Sequence, residues 1–259
     1  MSSFWSPTES WGEVLRDVGR FVTFRSNQEL CDRFSWKHFA VGLVLTWMVG
    51  IARNWDLATA PVWASLGLAS VAYIFFMAAG IWVFTRFIAF PSIPYMKVLT
   101  MVSLTAAPGL IYGIPVEMFM APQDARSTNV VFLFLVASYR VALALQYLCL
   151  AGRLNLIQSF FTLGSPISAI VVGLHMTGRV QMVFDLMGGN RGRESVPMEE
   201  ETVMLNTLCC YAPPIGVMFL VVFLFLANAA SLKYYRTQAA ERLAAMQAQP
   251  PEESGPPEA

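Results

Sequence analysis

Residues Trp63–Ile88 read WASLGLASVAYIFFMAAGIWVFTRFI and decide the fold class. The stretch carries one charge, Arg86, close to its end. A bilayer core of about 30 Å is crossed by roughly 20 apolar residues in a helix, and only a helix or a closed barrel satisfies its backbone there. This stretch is therefore read as a transmembrane helix. Composition extends the reading to the whole chain. Of 259 residues, 56% are hydrophobic and 13% charged, with a mean hydropathy of +0.54. Soluble domains carry about 25% charged residues, so lipid is the expected solvent. Seventeen basic residues balance seventeen acidic ones. That balance leaves no basic surface for nucleic acid, and no nucleic-acid motif is present.

Five further stretches approach spanning length on either side. They are Trp36–Ala52, which is short, about Met96–Phe119, Val130–Ala151, about Leu154–Thr177 and about Thr207–Leu232. The expected fold is an all-α polytopic bundle of about six spans. Residues 1–35 form an amphipathic arm, 36–232 the membrane domain, and 233–259 a helix followed by a Pro/Glu-rich tail. Lys and Arg in short loops set orientation. With the N-terminus cytoplasmic, the inner side holds Arg16, Arg20, Arg25, Arg33, Lys37, Arg86, Lys97, Arg153, Lys233, Arg236 and Arg242. The outer side holds Arg53, Arg126, Arg179, Arg191 and Arg193. Eleven against five places both termini in the cytoplasm. No signal peptide is expected, because MSSFWSPTES lacks both a basic start and an early apolar run.

The arm repeats Trp11, Val14, Leu15, Val18 and Val22 at helical spacing, with Glu13, Arg16, Asp17 and Arg20 assigned to other faces. Ser10-Trp-Gly-Glu13 and Ser26-Asn-Gln-Glu29 both read as capping boxes. The arm is expected to lie on the inner membrane surface. The alternative is that it packs on the protein's own loops.

The third span holds the most distinctive signature: Tyr95-Met-Lys97-Val-Leu99-Thr, then Ala106-Ala107-Pro108, then Gly113-Ile-Pro115. A polar, basic approach leads into an apolar helix with a small-small-Pro step and a second Ile-Pro. This resembles bacterial members of the Yip family, membrane proteins named for interacting with Ypt/Rab GTPases. The five spans from about 36 to 177 match that family's core in number and spacing, and the sixth departs from it. The resemblance implies a non-enzymatic membrane organiser or scaffold in a bacterial inner membrane. Its partners would be the bilayer and proteins at the cytoplasmic face, and a homo-oligomer is compatible with it. No GTPase contact is carried over.

Arg140 falls within the fourth span. A cation at mid-membrane costs at least about 2.5 kcal/mol, so it is expected to face the bundle or a polar cavity. Asp56 and Glu117 are its nearest expected partners, and Tyr112, Tyr139 and His175 add hydrogen-bonding capacity. The polar pocket this set describes serves either a structural ion pair or an anion or headgroup site. Pro108, Gly109, Gly113 and Pro115 should break the third helix, through packing kinks or a transporter-like discontinuity. A small-solute or lipid transporter is accordingly the second functional reading.

No metal and no cofactor is expected. Cys31, Cys149, Cys209 and Cys210 have no metal-ligand spacing, and His38 and His175 fall near opposite membrane faces. No HExxH, P-loop or GxGxxG motif occurs, and the expectation is that the chain is not an enzyme.

Overall fold

The computed structural model describes residues 2–5, 8–52, 62–89, 92–177 and 199–248. Ten α-helices run through them, with no strand among the described residues. They are α1 (Ser2–Trp5), α2 (Trp11–Val22), α3 (Gln28–Asp32), α4 (Trp36–Ala52), α5 (Val62–Ser65), α6 (Leu68–Ile88), α7 (Tyr95–Leu104), α8 (Pro122–Ala151), α9 (Leu156–Met176) and α10 (Glu199–Ala248). Two short 3-10 segments, Ala107–Gly113 and Val116–Met118, join α7 to α8.

Five helical stretches are long and apolar enough to cross a membrane: Leu68–Ile88, Tyr95–Gly113, Val131–Ala151, Leu156–Met176 and Pro213–Arg242. The chain is a membrane protein in this sense. The sixth expected span, α4, has 17 residues and is a shorter apolar helix. It rises about 26 Å, just under a typical bilayer core.

α4 packs along α7 and its 3-10 continuation, with α6 against both. α9 joins α6 to α10, and α8 closes the other side. The core gathers Ile74, Met77 and Ile81 of α6, Val98, Leu99 and Met101 of α7, and Leu143, Tyr147 and Leu148 of α8.

The third span is not one helix over 96–119. The α geometry stops at Leu104, and the chain tightens into 3-10 turns from Ala107. Pro108 has no N–H to offer the Leu104 carbonyl, so the ladder cannot continue. The carbonyl one residue earlier, of Ser103, takes two donors where the α-helix ends. Ala106 N–H donates to the Ser103 carbonyl at 3.2 Å, and the Thr46 hydroxyl of α4 donates to that same oxygen at 3.2 Å. Gly109 lies so close to α4 that a Cβ there would stand 2.7 Å from Val49 Cγ1. The broken segment is thus pressed onto α4.

α10 is 50 residues long and keeps Pro213 and Pro214 inside it. At 1.5 Å per residue it spans about 75 Å, far more than a bilayer core. The helical continuation expected beyond residue 232 therefore exists up to Ala248.

Candidate functional site

The described polar groups gather where the arm meets the helix bundle. α2 begins at a capping box: Glu13 N–H donates to Ser10 Oγ at 3.3 Å, and Ser10 N–H donates to Glu13 Oε2 at 2.7 Å. That donation holds the Glu13 carboxyl below its ordinary range. α3 is capped by Asn27 rather than Ser26, with Leu30 N–H donating to Asn27 Oδ1 at 3.0 Å. In the second box the asparagine, not the serine, occupies the extended position before the helix.

The face that α2 buries differs from the expected stripe. Val14, Val18 and Phe21 are buried, while Trp11 and Leu15 are 50% and 58% exposed and Val22 is partly buried. Residues 14, 17, 18 and 21 share one side of a helix, and the fourth of them is Asp17. Asp17 was assigned to another face, yet its side chain is only 6% exposed. The arm therefore packs its inner face on the protein itself, which corrects the membrane-surface role expected of Val14 and Val18. Trp11 and Leu15 stay exposed on the other side of the helix.

An aromatic stack roots the arm. Phe34, at the end of the α3 turn, lies edge-on to Phe21 with ring centres 5.6 Å apart. Its other contacts are Tyr147 of α8, parallel at 5.6 Å, and His38 of α4 at 5.4 Å. Around this stack sit the charges. Arg33 Nη2 lies 3.2 Å from Asp17 Oδ2, and Arg33 Nε lies 3.5 Å from Glu9 Oε1. His38 is fully buried. Its Nδ1 accepts from Ser35 N–H at 3.3 Å and faces Ser35 Oγ at 3.0 Å. Its Nε2 points at Asp17 Oδ2 across 3.9 Å, and neither atom has a hydrogen-bond partner among the described residues. Lys37 reaches the Glu9 carbonyl and lies 5.8 Å over the Trp11 ring.

Two further ties reach other helices. Lys97 Nζ of α7 donates to the Asp32 carbonyl at 2.6 Å. Tyr139 of α8 donates its hydroxyl to the Val22 carbonyl at 2.7 Å. On the buried side of α3, Cys31 is a free, fully buried thiol whose pKa burial pushes up to about 12.

Only part of the expected polar pocket falls among the described residues. Tyr139 commits its hydroxyl to the arm rather than to Arg140's surroundings. Arg140 is half-buried on α8 and makes no ion pair among the described residues. Asp56 and the side chain of Glu117 lie outside the described residues. Tyr112 sits in the first 3-10 segment and His175 in the last turn of α9, both half-buried. Pro108 and Gly109 mark the start of the 3-10 segment, while Gly113 and Pro115 flank its end. Cys209 and Cys210 carry no described side chain.

The Glu9, Asp17, Arg33 and His38 constellation escaped sequence reading. The available signal was Asp17 itself, a carboxylate in register with Val14, Val18 and Phe21. A charge on an apolar stripe implies a partner from elsewhere in the chain. No group of three metal-ligating side chains occurs among the described residues. Compared with known protein families, curated proteins and solved structures, the chain matches none of them.

Proposed function

We propose that this chain is a non-catalytic, Yip-like organiser or assembly scaffold of a bacterial inner membrane. In this reading six segments cross the bilayer, with α4 as the short first span and both termini cytoplasmic. The observation that carries it is the seam between arm and bundle. Side chains of α4, α7 and α8 converge on α2 and α3, so the polar chemistry of the chain is spent on holding an interfacial platform. Trp5, Trp11 and Leu15 face outward from that platform and suit the headgroup layer. The positive-inside count supports the orientation. Partner surfaces would be the outer face of the arm, the Arg86–Lys97 connection and α10 beyond residue 232.

Reconstitution tests this reading. Purified protein in liposomes should show no saturable solute flux and no lipid scrambling above empty vesicles. A defined partner should co-purify from native membranes and be lost when the chain ends at residue 232. Saturable flux would overturn the proposal.

The second reading, a small-solute or lipid transporter, is favoured by the break at Pro108 and by Arg140 lying in α8 without an ion pair among the described residues. It expects Arg140→Ala to abolish flux while expression and thermal stability persist.

A further inference from the structure

We propose that His38 is an acid-operated release for the N-terminal arm: docked while the imidazole is neutral, freed when it gains a proton. The geometry fixes the neutral tautomer. Ser35 N–H can only donate, so Nδ1 must be a bare acceptor, and the ring proton sits on Nε2. A second proton has to enter at Nδ1. There it abolishes the Ser35 N–H bond and sets two donors against each other at 3.3 Å, leaving only the Ser35 hydroxyl, 3.0 Å away, to accept it. It also places a cation in a site with no solvent exposure. Taking an ion out of water costs several kcal/mol unless a well-placed counter-charge answers it.

The counter-charges are already occupied. Asp17 Oδ2 stands 3.9 Å away and is engaged by Arg33, with Arg20 4.0 Å from its other oxygen. Glu9 faces Arg33 and the Ser35 hydroxyl. From the remaining elements, α7 brings Lys97, which is held by Asp32, and α8 brings Tyr147, stacked on the Phe34 ring that also meets His38. Each of these carboxylates already has a cation beside it.

The seam has a second mark of a releasable contact. Among the described residues, five buried polar side-chain atoms make no hydrogen bond: Asp17 Oδ2, which has only its ion pair with Arg33, Ser26 Oγ, His38 Nε2, Gln146 Oε1 and Tyr147 Oη. Two belong to the arm. Two more, on His38 and Tyr147, belong to residues stacked on Phe34, and Gln146 adjoins Tyr147. Such atoms regain water when the arm lifts, which lowers the free energy of the open state. Protonating Asp17 or Glu9 would also break the Arg33 pairs, and that route would leave the response unchanged when His38 is replaced. Release driven by His38 is independent of whether the chain organises partners or moves a solute.

The test uses the full chain in lipid nanodiscs, with its four cysteines changed to alanine and nitroxides at Gly19→Cys on the arm and Tyr235→Cys on α10. Both positions are exposed, and a Cβ at Gly19 meets nothing. At pH 7.5 one narrow distance is expected. At pH 5.0 the ratio of released to docked populations should rise at least tenfold, and reversibly. His38→Asn keeps an acceptor for Ser35 N–H but cannot be protonated, so its ratio should change less than twofold. An unchanged wild-type distribution overturns the proposal, as does a His38→Asn response equal to wild type. Nitrogen NMR of the ring in a His175→Asn background needs no change at His38. It should show an Nε2–H neutral ring at pH 7.5 and an imidazolium appearing together with release. Release while His38 stays neutral overturns the proposal equally.

Discussion

The arm–bundle seam and the α9–α10 pair hold together in opposite ways. At the seam, a 12-residue helix is fixed by aromatic stacking, ion pairs and hydrogen bonds from three other helices. Between α9 and α10 the contact is apolar and close. A Cβ at Gly164 would overlap the Phe219 ring, and Phe160 and Phe161 stack against the same ring at 5.4 and 5.0 Å. Lipid offers apolar helices no hydrophobic reason to associate, so small residues that admit a neighbour do the work there. Water competes at the seam, and orientation there depends on specific polar partners. The first surface can be opened by changing charge, the second only by changing shape.

The largest effect should come from Phe34→Ala. It removes the ring that joins Phe21, His38 and Tyr147, at a cost of about 3–5 kcal/mol. Limited proteolysis in detergent should then cut within the arm while α9–α10 resists. Asp17→Ala comes next. It strands Arg33 and leaves His38 facing a cavity, for a loss of about 2 kcal/mol. Asp17→Leu extends the Val14–Val18–Phe21 stripe and should lose less, since apolar replacements of buried charges are often neutral. If the leucine variant proves the weaker in thermal unfolding, Asp17 is more than a tolerated charge.

Gly164→Val should cost about 1–3 kcal/mol by forcing Phe219 aside, yet leave the arm docked and Cys31 protected. A loosened arm in that variant would merge the two regions into one cooperative unit. Ser10→Ala removes the α2 cap for about 1 kcal/mol. Fraying at Trp11 should appear as a red shift in tryptophan emission.

The smallest effect concerns pH above neutrality. Burial raises the Cys31 thiol from 9.0 to about 12. Its contribution to docking is complete below pH 9, where unfolded and folded chains both hold the proton. It is lost as pH rises toward 12, because only the unfolded chain has ionised. Thermal stability should therefore decline more steeply between pH 9 and 10 in the wild type than in Cys31→Ala.

Much of the architecture was legible in the sequence because lipid imposes a length and a hydropathy on each span. A span within Trp63–Ile88 was readable without other information, but its helix begins only at Leu68: Gly67, left-handed at φ 73°, separates it from the short α5. The break at Pro108 was equally readable, since a missing N–H acts locally. What Pro108 presses against was not, because Val49 and Thr46 come from sixty residues earlier. The seam was hidden for the same reason. Asp17, Arg33 and His38 are spread over three helical segments, and only their docking makes them one site. Leu15 and Val14 illustrate the limit of a helical stripe. Both are apolar and adjacent, and the tertiary contact alone decided that one faces Phe34's neighbourhood and the other solvent or lipid.

The central claim is that the arm is docked on the bundle, and Cys31 reports on it most directly. With Cys149, Cys209 and Cys210 replaced by alanine, the rate of maleimide alkylation at pH 7.5 would be compared between protein in nanodiscs and protein unfolded in dodecyl sulfate. A fully buried thiol under a docked arm predicts at least about a hundredfold slower labelling in the folded protein. Equal rates would mean that α3 does not sit against α8 in the membrane, and the seam would not exist.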